Sequence, residues 1–373
     1  MYDAIVIGAR CAGSPTAMLL GRKGYRVLLL DRAAFPSDTF RNHFIQHPGV
    51  VQLHRWGLLA HVAASNCPPI RTFTSDFGDF PLQEPFETGD GVEANYAPRG
   101  IVLDKILVDA AVAAGAELRE RFTVHELLRD NDRVIGIQGR ASGGALVTEH
   151  ARIVVGADGA RSIVAKAVRA PRYHERSALT YAYYSYFSGV PLSGCEVWHR
   201  PQRIYINFPT NDALSLMAMQ APVGGFYAFR ADVEGSFFRA LDCVPELAER
   251  VRAGTRAERW YGTADTENFF CKPYGPGWAL VGDAGYHKDP ILAQGISDAF
   301  RDAELLAEAI DAGFSGREPL GEALMNYEEQ RNLVALPSYE ANCAAAVFLP
   351  PSAEILAKRA ALRAVPPATA PSA

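Results

Sequence analysis

The sequence is 373 residues long, with 49% hydrophobic residues, 21% charged residues and a formal net charge of -5. It has neither the ~20 consecutive apolar residues of a membrane span nor the basic runs typical of nucleic-acid binding. The six cysteines form no C-x-x-C pair and lack histidine partners at metal-ligand spacing, which argues against a metal site. We therefore expect a small-molecule partner, no nucleic acid, no membrane span and, without a visible secretory signal, a cytoplasmic location.

The N-terminal segment predicts a β-α-β unit. An apolar run over residues 3–8 predicts a strand, residues 12–23 a helix, and residues 25–31 a second strand. The loop after the first strand follows the dinucleotide-binding pattern G-x-G-x-x-G, except that Arg10 replaces the middle glycine. An acidic residue at the end of the second strand completes the pattern, so the segment predicts a nucleotide-binding loop.

Each residue of this loop has a physical role. Gly8 permits the tight turn, Gly13 permits close packing of helix on strand, and the helix N-terminus offers free amide donors to a phosphate. Asp31 can accept hydrogen bonds from a ribose. Arg10 has two orientations open to it, one beside a diphosphate and one pointing into solvent.

Further elements follow along the chain. Residues 103–118 predict a helix, and residues 133–139 and 151–156 predict strands. Aromatic, turn-punctuated segments over residues 178–220 predict an inserted antiparallel sheet. An apolar strand with a glycine turn then returns at 277–285, a helix follows at 295–310, and helices dominate after about residue 318.

Two internal motifs carry a family resemblance. The segments VVGADGARS (154–162) and GDAGYHKDPILAQGISDAFRDAELL (282–306) resemble the signatures of FAD-dependent aromatic hydroxylases of the p-hydroxybenzoate hydroxylase fold, which flavin halogenases and geranylgeranyl reductases share. Together with the N-terminal loop they occur in the family's order. The resemblance implies an α/β fold: a discontinuous Rossmann-like FAD-binding domain, an inserted antiparallel β-sheet substrate domain and C-terminal helices.

We divide the chain accordingly. The FAD-binding domain is expected in three segments, 1–75, 99–175 and 266–318. A substrate-side excursion (76–98) and the substrate domain (176–265) interrupt it. C-terminal helices (319–365) and a disordered tail (366–373) complete the chain.

The resemblance also implies a set of cofactor contacts. Asp283 would bind the ribityl chain of FAD, Asp158 and Gly159 would lie near the pyrophosphate, and the helix beginning at Gly295 and Ile296 would face the flavin ring. The full predicted FAD-binding set is Gly8, Arg10, Ala12, Gly13, Asp31, Arg32, Arg41, Arg99, Asp158, Gly159, Gly282, Asp283, Pro290, Gly295 and Ile296.

The sequence departs from the family pattern at several positions. Besides Arg10, Tyr286 replaces a common histidine, and Ala293 and Ser297 replace a glycine and an asparagine beside the flavin. The arginine that the family places at the start of a helix is Gly100 here, and Arg99 stands one position earlier, which puts its flavin contact in doubt.

Substrate and catalytic candidates come from the rest of the chain. Arg32 and Arg41 lie where family members reach the cofactor with basic residues, and His43 and His47 fall in the same window. Either histidine can be structural; the catalytic residue stays unassigned, with His43 kept as a candidate base. We expect about half of the aromatic sheet's alternating side chains to line the substrate site. The candidates are Tyr184, Tyr186, Trp198, Tyr205, Met217 and Met219.

The resemblance implies a monooxygenase that transfers one oxygen atom from a flavin C4a-hydroperoxide to an aromatic or other electron-rich small molecule, in secondary metabolism for example. The alternative is a reductase or dehydrogenase of the geranylgeranyl reductase type. A halogenase is disfavoured, because the sequence lacks a W-x-W motif and any lysine between Lys23 and Lys105. No second glycine-rich unit is present for a resident nicotinamide, so NAD(P)H would act transiently, or a partner flavin reductase would supply reduced flavin. Nothing in the sequence assigns an oligomeric state.

Overall fold

The computed structural model describes residues 1–37, 43–86 and 88–363. Arg41 therefore lies outside the described residues. Within these ranges, no helix is both long enough and apolar enough to cross a membrane.

The described elements number in chain order. The helices are α1 (Gly13–Arg22), α2 (His47–Arg55), α3 (Leu59–Ala64), α4 (Gly100–Ala113), α5 (Ile163–Val168), α6 (Phe226–Arg230), α7 (Val233–Leu241), α8 (Pro245–Ala253), α9 (Gly295–Phe314), α10 (Leu320–Ala345) and α11 (Ala353–Arg363). The strands are β1 (Tyr2–Ile7), β2 (Val27–Leu30), β3 (Thr72–Asp76), β4 (Leu82–Pro85), β5 (Glu117–Arg119), β6 (Phe122–Asp130), β7 (Arg133–Ala141), β8 (Val147–Gly156), β9 (Arg172–Arg176), β10 (Thr180–Ser188), β11 (Cys195–Arg200), β12 (Arg203–Pro209), β13 (Leu214–Pro222), β14 (Thr255–Arg256), β15 (Tyr261–Thr263), β16 (Asn268–Cys271), β17 (Tyr274–Gly275), β18 (Trp278–Leu280) and β19 (Tyr286–His287).

The first sheet has the strand order β17-β18-β8-β1-β2-β5, and the strands from β18 to β5 run parallel. Its central strands are apolar because both faces are covered. Ala4 and Val6 of β1 pack in a cluster with α1, α4 and α9, while Ile5 and Ile7 pack in a second cluster with β6, β7 and α5. These strands come from distant parts of the chain, so the discontinuous α/β fold class is confirmed.

The second sheet has the order β14-β10-β13-β12-β11-β3-β4, with β15 also paired to β10. All neighbours are antiparallel except β11 and β3. We call its two sides the outer face, which carries Tyr183 and Met217, and the inner face, which carries Tyr184 and Leu216. Helices α6, α7 and α8 pack on the outer face, whereas the sequence predicted only antiparallel strands for this region.

The remaining elements join the two sheets. Strands β9, β16 and β19 form a three-stranded sheet. Helix α10 packs along α9, and α11 then returns to the β3–β4 hairpin of the second sheet.

Candidate flavin and substrate site

The motif loops meet at one edge of the first sheet. Strands β1, β2, β8 and β18 are parallel neighbours, so the loops that follow them begin at the same edge. Those loops carry Gly8, Asp31, Asp158 and Gly282. Ligands of open α/β sheets bind at the carboxyl ends of the strands, which makes this edge the candidate cofactor site.

The glycine loop is compact because two positions exclude a side chain. A Cβ added to Gly13 would lie 1.8 Å from the carbonyl oxygen of Gly8, and Gly8 itself has a φ of +101°. Helix α1 then begins after Ala12 without a side-chain cap. Within the first three residues of α1, Ser14 donates its N–H to the carbonyl oxygen of Arg10 (3.0 Å) and Pro15 has no N–H, so the amide of Gly13 and the helix dipole are what this end offers to an anionic ligand.

Asp31 supports the glycine loop from the end of β2. Its carboxylate oxygens accept hydrogen bonds from the backbone N–H groups of Ala9 (2.9 Å) and Ala33 (2.8 Å). A carboxylate offers about four acceptor sites, so capacity for a ribose hydroxyl remains. Arg32, the next residue, is exposed.

Arg10 is directed at α4 rather than into solvent. Its guanidinium forms an ion pair with Asp104 of α4 and donates to Ser37 Oγ at 3.0 Å. Asp104 is fully buried, so a carboxylate at this depth requires such a partner. Arg10 thus ties the glycine loop to α4.

The second motif loop follows β8. Asp158 Oδ2 accepts a hydrogen bond from the backbone N–H of Ile163 at 2.6 Å, which fixes the start of α5. Burial raises the pKa of this carboxyl. Gly159 follows with a φ of +81° and no atom within 4 Å of its virtual Cβ, so the loop is open on that side.

The third motif loop follows β18. Gly282 has a φ of +60°, and a Cβ there would lie 2.7 Å from the Cβ of Ala12, so this loop packs directly on the glycine loop. Asp283 is exposed between two buried neighbours, Gly282 and Ala284.

The loop from Pro290 to the start of α9 is held by Asp289, a residue that the sequence analysis missed. Its carboxylate accepts from the hydroxyl of Thr180 (2.7 Å) and the amide of Gln220 (2.6 Å), both on the second sheet, and from the N–H of Ile291 (3.1 Å). Its place directly before Pro290 was the available signal. Asp289 therefore fixes this loop against the second sheet.

Helix α9 begins at this loop with its N-terminus open. Gly295 is exposed, and no atom lies within 4 Å of its virtual Cβ. Gln294 precedes it without a side-chain cap, and Ile296 is buried. Lys288 is buried and forms an ion pair with Asp298 in the first turn of α9, at 2.7 Å.

Three buried polar atoms at these loops test whether FAD fits. Ser14 Oγ, Asp158 Oδ1 and Ser297 Oγ have no hydrogen-bond partner among the described residues. They lie on α1, the loop after β8, and the first turn of α9, so an extended ligand that lies along the loop edge would pass near each. Together with the two open helix N-termini, they fit a long polar dinucleotide.

His43 lies on the inner face of the second sheet. It is fully buried, its Nε2 is hydrogen-bonded to the hydroxyl of Tyr186, and the two rings stack at 5.9 Å. Tyr184 meets the same imidazole edge-on at 6.0 Å. Two of the six predicted lining residues and the predicted base are thus brought together.

Arg99 joins this group from the start of α4. Its guanidinium lies 4.7 Å above the ring of Tyr186 and forms an ion pair with Glu258. Glu258 also accepts a hydrogen bond from Tyr261 at 2.9 Å. Arg99 is thus placed on the second sheet's side of the site.

The other four predicted lining residues lie on the outer face. Trp198, Tyr205, Met217 and Met219 are buried in the cluster that α7 and α8 complete. The period-2 alternation of a strand separates them from Tyr184, but the sequence alone did not tell which face the helices cover.

The inner face exposes smaller residues that were missed. Ala218 is directly opposite Tyr184, Ile206 opposite Ala218, and Val197 opposite Ile206. Ala218 and Val197 are partly exposed on this face. The signal for these inner-face residues was present in the sequence, because small residues alternate there with the large residues of the outer face.

The fold and site define a class: a two-sheet dinucleotide-binding protein with an apolar face beside its cofactor edge. The sequence profile of the FAD binding domain family matches residues 1–339. The chain belongs to this family.

Three individual proteins illustrate the similarity. Kynurenine 3-monooxygenase of Salinispora tropica is 26% identical, over 91% of this chain and 83% of that protein. Digeranylgeranylglycerophospholipid reductase 2 of Methanopyrus kandleri is 26% identical, over 83% of this chain and 78% of that protein. The structure of the myxobacterial chondrochloren halogenase CndH superposes with a TM-score of 0.85 at 24% identity, over 97% of this chain and 89% of that protein.

Proposed function

We propose that this protein is a FAD-dependent monooxygenase that inserts one oxygen atom into an aromatic or other electron-rich small molecule. The observation that carries the proposal is the position of the Pro290–Gly295 loop, which Asp289 ties to the second sheet, between the cofactor edge and the inner face. The similarity to a kynurenine monooxygenase supports this reaction class.

We propose that the three motif loops and the start of α9 hold FAD. The α1 N-terminus binds the diphosphate, Asp31 the ribose and Asp283 the ribityl chain, while the α9 N-terminus stabilises negative charge on the ring. Bound and reduced, FAD supplies the electrons that let dioxygen be divided between product and water.

The inner face acts on the substrate in this proposal. Ala218, Ile206 and Val197 exclude water and leave room for an apolar ring. His43, held by Tyr186, accepts the proton that an aromatic hydroxyl or amine releases when the ring is attacked.

The relatives suggest two other reactions. A reductase has the same 26% identity over a smaller share of this chain (83% against 91%), and it would change the hydrogen content of its substrate without adding oxygen. A halogenase has the same fold, but the buried Lys288 is paired with Asp298 rather than directed at the inner face, and the chain has no lysine between residues 23 and 105.

An isotope experiment tests the reaction. Substituted phenols and anilines are incubated with the FAD-loaded protein, NADH or NADPH, and ¹⁸O-labelled dioxygen, and the masses of the products are measured by mass spectrometry. We expect one labelled oxygen atom per product molecule. Turnover at full rate without dioxygen, yielding unlabelled product, would establish the reductase instead.

A second experiment tests the cofactor assignment. Asp283→Ala should weaken FAD binding markedly in a fluorescence titration, whereas Asp265→Ala, which removes an exposed acid paired with Arg161, should not. Equal affinities in both variants would remove the support for the third motif loop. We also propose that NAD(P)H binds only transiently or that a partner reductase delivers reduced flavin, so calorimetry without substrate should detect no tight NAD(P)H complex.

A further inference from the structure

The C-terminal segment after α10 borders the inner face of the second sheet. Ala346 and Phe348 pack in the same apolar cluster as Tyr184, Tyr186 and Ile291. The family match ends at residue 339, so this segment lies beyond the region of the chain that the family profile covers. It lies next to the substrate face.

One side chain fastens the far end of this segment. Arg359 of α11 is 5% exposed and donates hydrogen bonds to Ser75 Oγ (2.7 Å), to both carboxylate oxygens of Asp79 (3.0 and 3.1 Å) and to the carbonyl oxygen of Phe80 (2.6 Å). Burial tends to raise the pKa of Asp79, but the bonds from Arg359 outweigh it and lower that pKa to about 2. The contact of Arg359 with Ser75, Asp79 and Phe80, which we call the latch, therefore contains a charged carboxylate at ordinary pH.

Arg359 is attached at one end of a row of the inner face, and Ala346 and Phe348 pack in the apolar cluster that includes the rest of that row. Ser75, which Arg359 contacts, is opposite Val197, and that row continues through Ile206 and Ala218 to Tyr184. Four strand spacings of about 4.8 Å separate the ends, or about 19 Å. The stretch from residue 346 to residue 359 is long enough to span that distance.

We propose that residues 346–363 form a removable wall over the substrate face and that Arg359 is the positioning residue that holds it closed. This inference rests on the proposed function, because it assumes that FAD lies at the loop edge beside the covered face. Breaking the latch frees α11 and admits solvent and substrate to the flavin side of the inner face, while the motif loops keep FAD bound.

The experiment uses the FAD-loaded full chain. Arg359→Ala is compared with Arg359→Lys and with Arg252→Ala, which removes an exposed ion pair to Asp242. Arg359→Ala should speed hydrogen exchange in α11 by about tenfold, because several buried hydrogen bonds are lost. It should also raise the iodide quenching of flavin fluorescence. Lysine keeps the charge but lacks the planar set of donors, so hydrogen exchange in α11 and iodide quenching in Arg359→Lys should lie between those of Arg359→Ala and the wild type. Arg252→Ala should match the wild type in both measurements.

Each other outcome is decisive. Faster hydrogen exchange in α11 with unchanged iodide quenching of the flavin would overturn the proposal that residues 346–363 form a wall, since α11 would then not shield the site. Unchanged exchange in Arg359→Ala would overturn the latch. If that variant exchanges globally because it fails to fold, Asp79→Asn supplies the same test. Absence of FAD binding in the wild type would refute the proposed cofactor. The hydrogen-exchange comparison would still test whether Arg359 holds α11 in place.

Discussion

The two faces of the second sheet use the same strands but differ in what covers them. On the outer face, Tyr205 and Met217 are buried under α7 and α8. On the inner face, Ala218 and Val197 remain partly exposed beside His43 and the Pro290–Gly295 loop. Because neighbouring residues of a strand point to opposite faces, one sheet can place its packing on one side and its chemistry on the other. Substitutions on the two faces should therefore separate stability from activity.

The largest effect should come from the outer face. Tyr205→Ala removes a fully buried ring whose hydroxyl donates to the carbonyl of Ala240. We expect a loss of about 3–5 kcal/mol in the free energy of unfolding, measured by urea denaturation of the FAD-loaded protein. Tyr205→Phe keeps the ring and should lose only about 1 kcal/mol. Equal losses in the two variants would contradict packing as the main contribution of this face.

On the inner face, His43→Gln should change the reaction instead. If His43 accepts the substrate proton, kcat should fall about 100-fold, and its dependence on pH should flatten. FAD affinity should stay the same. Tyr186→Phe removes the hydrogen-bond partner and keeps the ring, so it should shift the pH profile with a smaller fall in kcat. An unaltered kcat in His43→Gln would exclude this residue as the base.

His199 stands two residues after Val197 on β11 and so lies on the inner face, where it should make stability depend on pH. The pKa of His199 is lowered from 6.5 to about 4, mainly by burial and then by the charges of Arg359 and Arg200. The charge of Asp76 opposes this shift. As the pH falls from about 6.5 to about 4, the unfolded chain takes up a proton that the folded protein does not. The folded state should therefore lose about 3 kcal/mol over this window. His199→Gln should remove most of that loss; an identical pH profile in the variant would contradict the shift.

A smaller effect should follow from filling the inner face. Ala218→Leu places a larger side chain on the exposed stretch of the row between Tyr184 and Ile206. We expect about a tenfold fall in kcat/KM, because changes of this size in apolar pockets have such effects. Ala231→Leu, outside the sheet, is the matched control. A normal kcat/KM in Ala218→Leu would show that the substrate does not reach this row.

The smallest effect should be found on the helices of the outer face. Tyr227 of α6 is 80% exposed, so Tyr227→Ser should change the free energy of unfolding by no more than about 0.5 kcal/mol. Turnover should be unchanged. A loss of activity here would show that the outer face also contributes to function, and the separation of the faces would fail.

Local patterns predicted the first sheet well and the second sheet's surroundings poorly. The glycine loop, the strand that ends before Asp31 and the helix that begins at Gly295 each depend on a few adjacent residues, which a motif describes. The pair of Arg10 and Asp104 joins residues 94 positions apart, and no local pattern encodes it. Likewise, alternation identified two faces, but only the docking of α7 and α8 decides which of them is closed.

The discontinuous first sheet also bears on how the protein is made. Strand β1 ends at Ile7, yet its partner β8 must pair on its other side with β18, which begins at Trp278. A chain growing from the ribosome synthesises the entire second sheet before the third motif loop exists. Pairings this distant in sequence form slowly and leave strand edges exposed meanwhile. Capture of flavin should therefore be a late event in biogenesis, and a shortage of flavin should leave newly made chains vulnerable to aggregation and proteolysis.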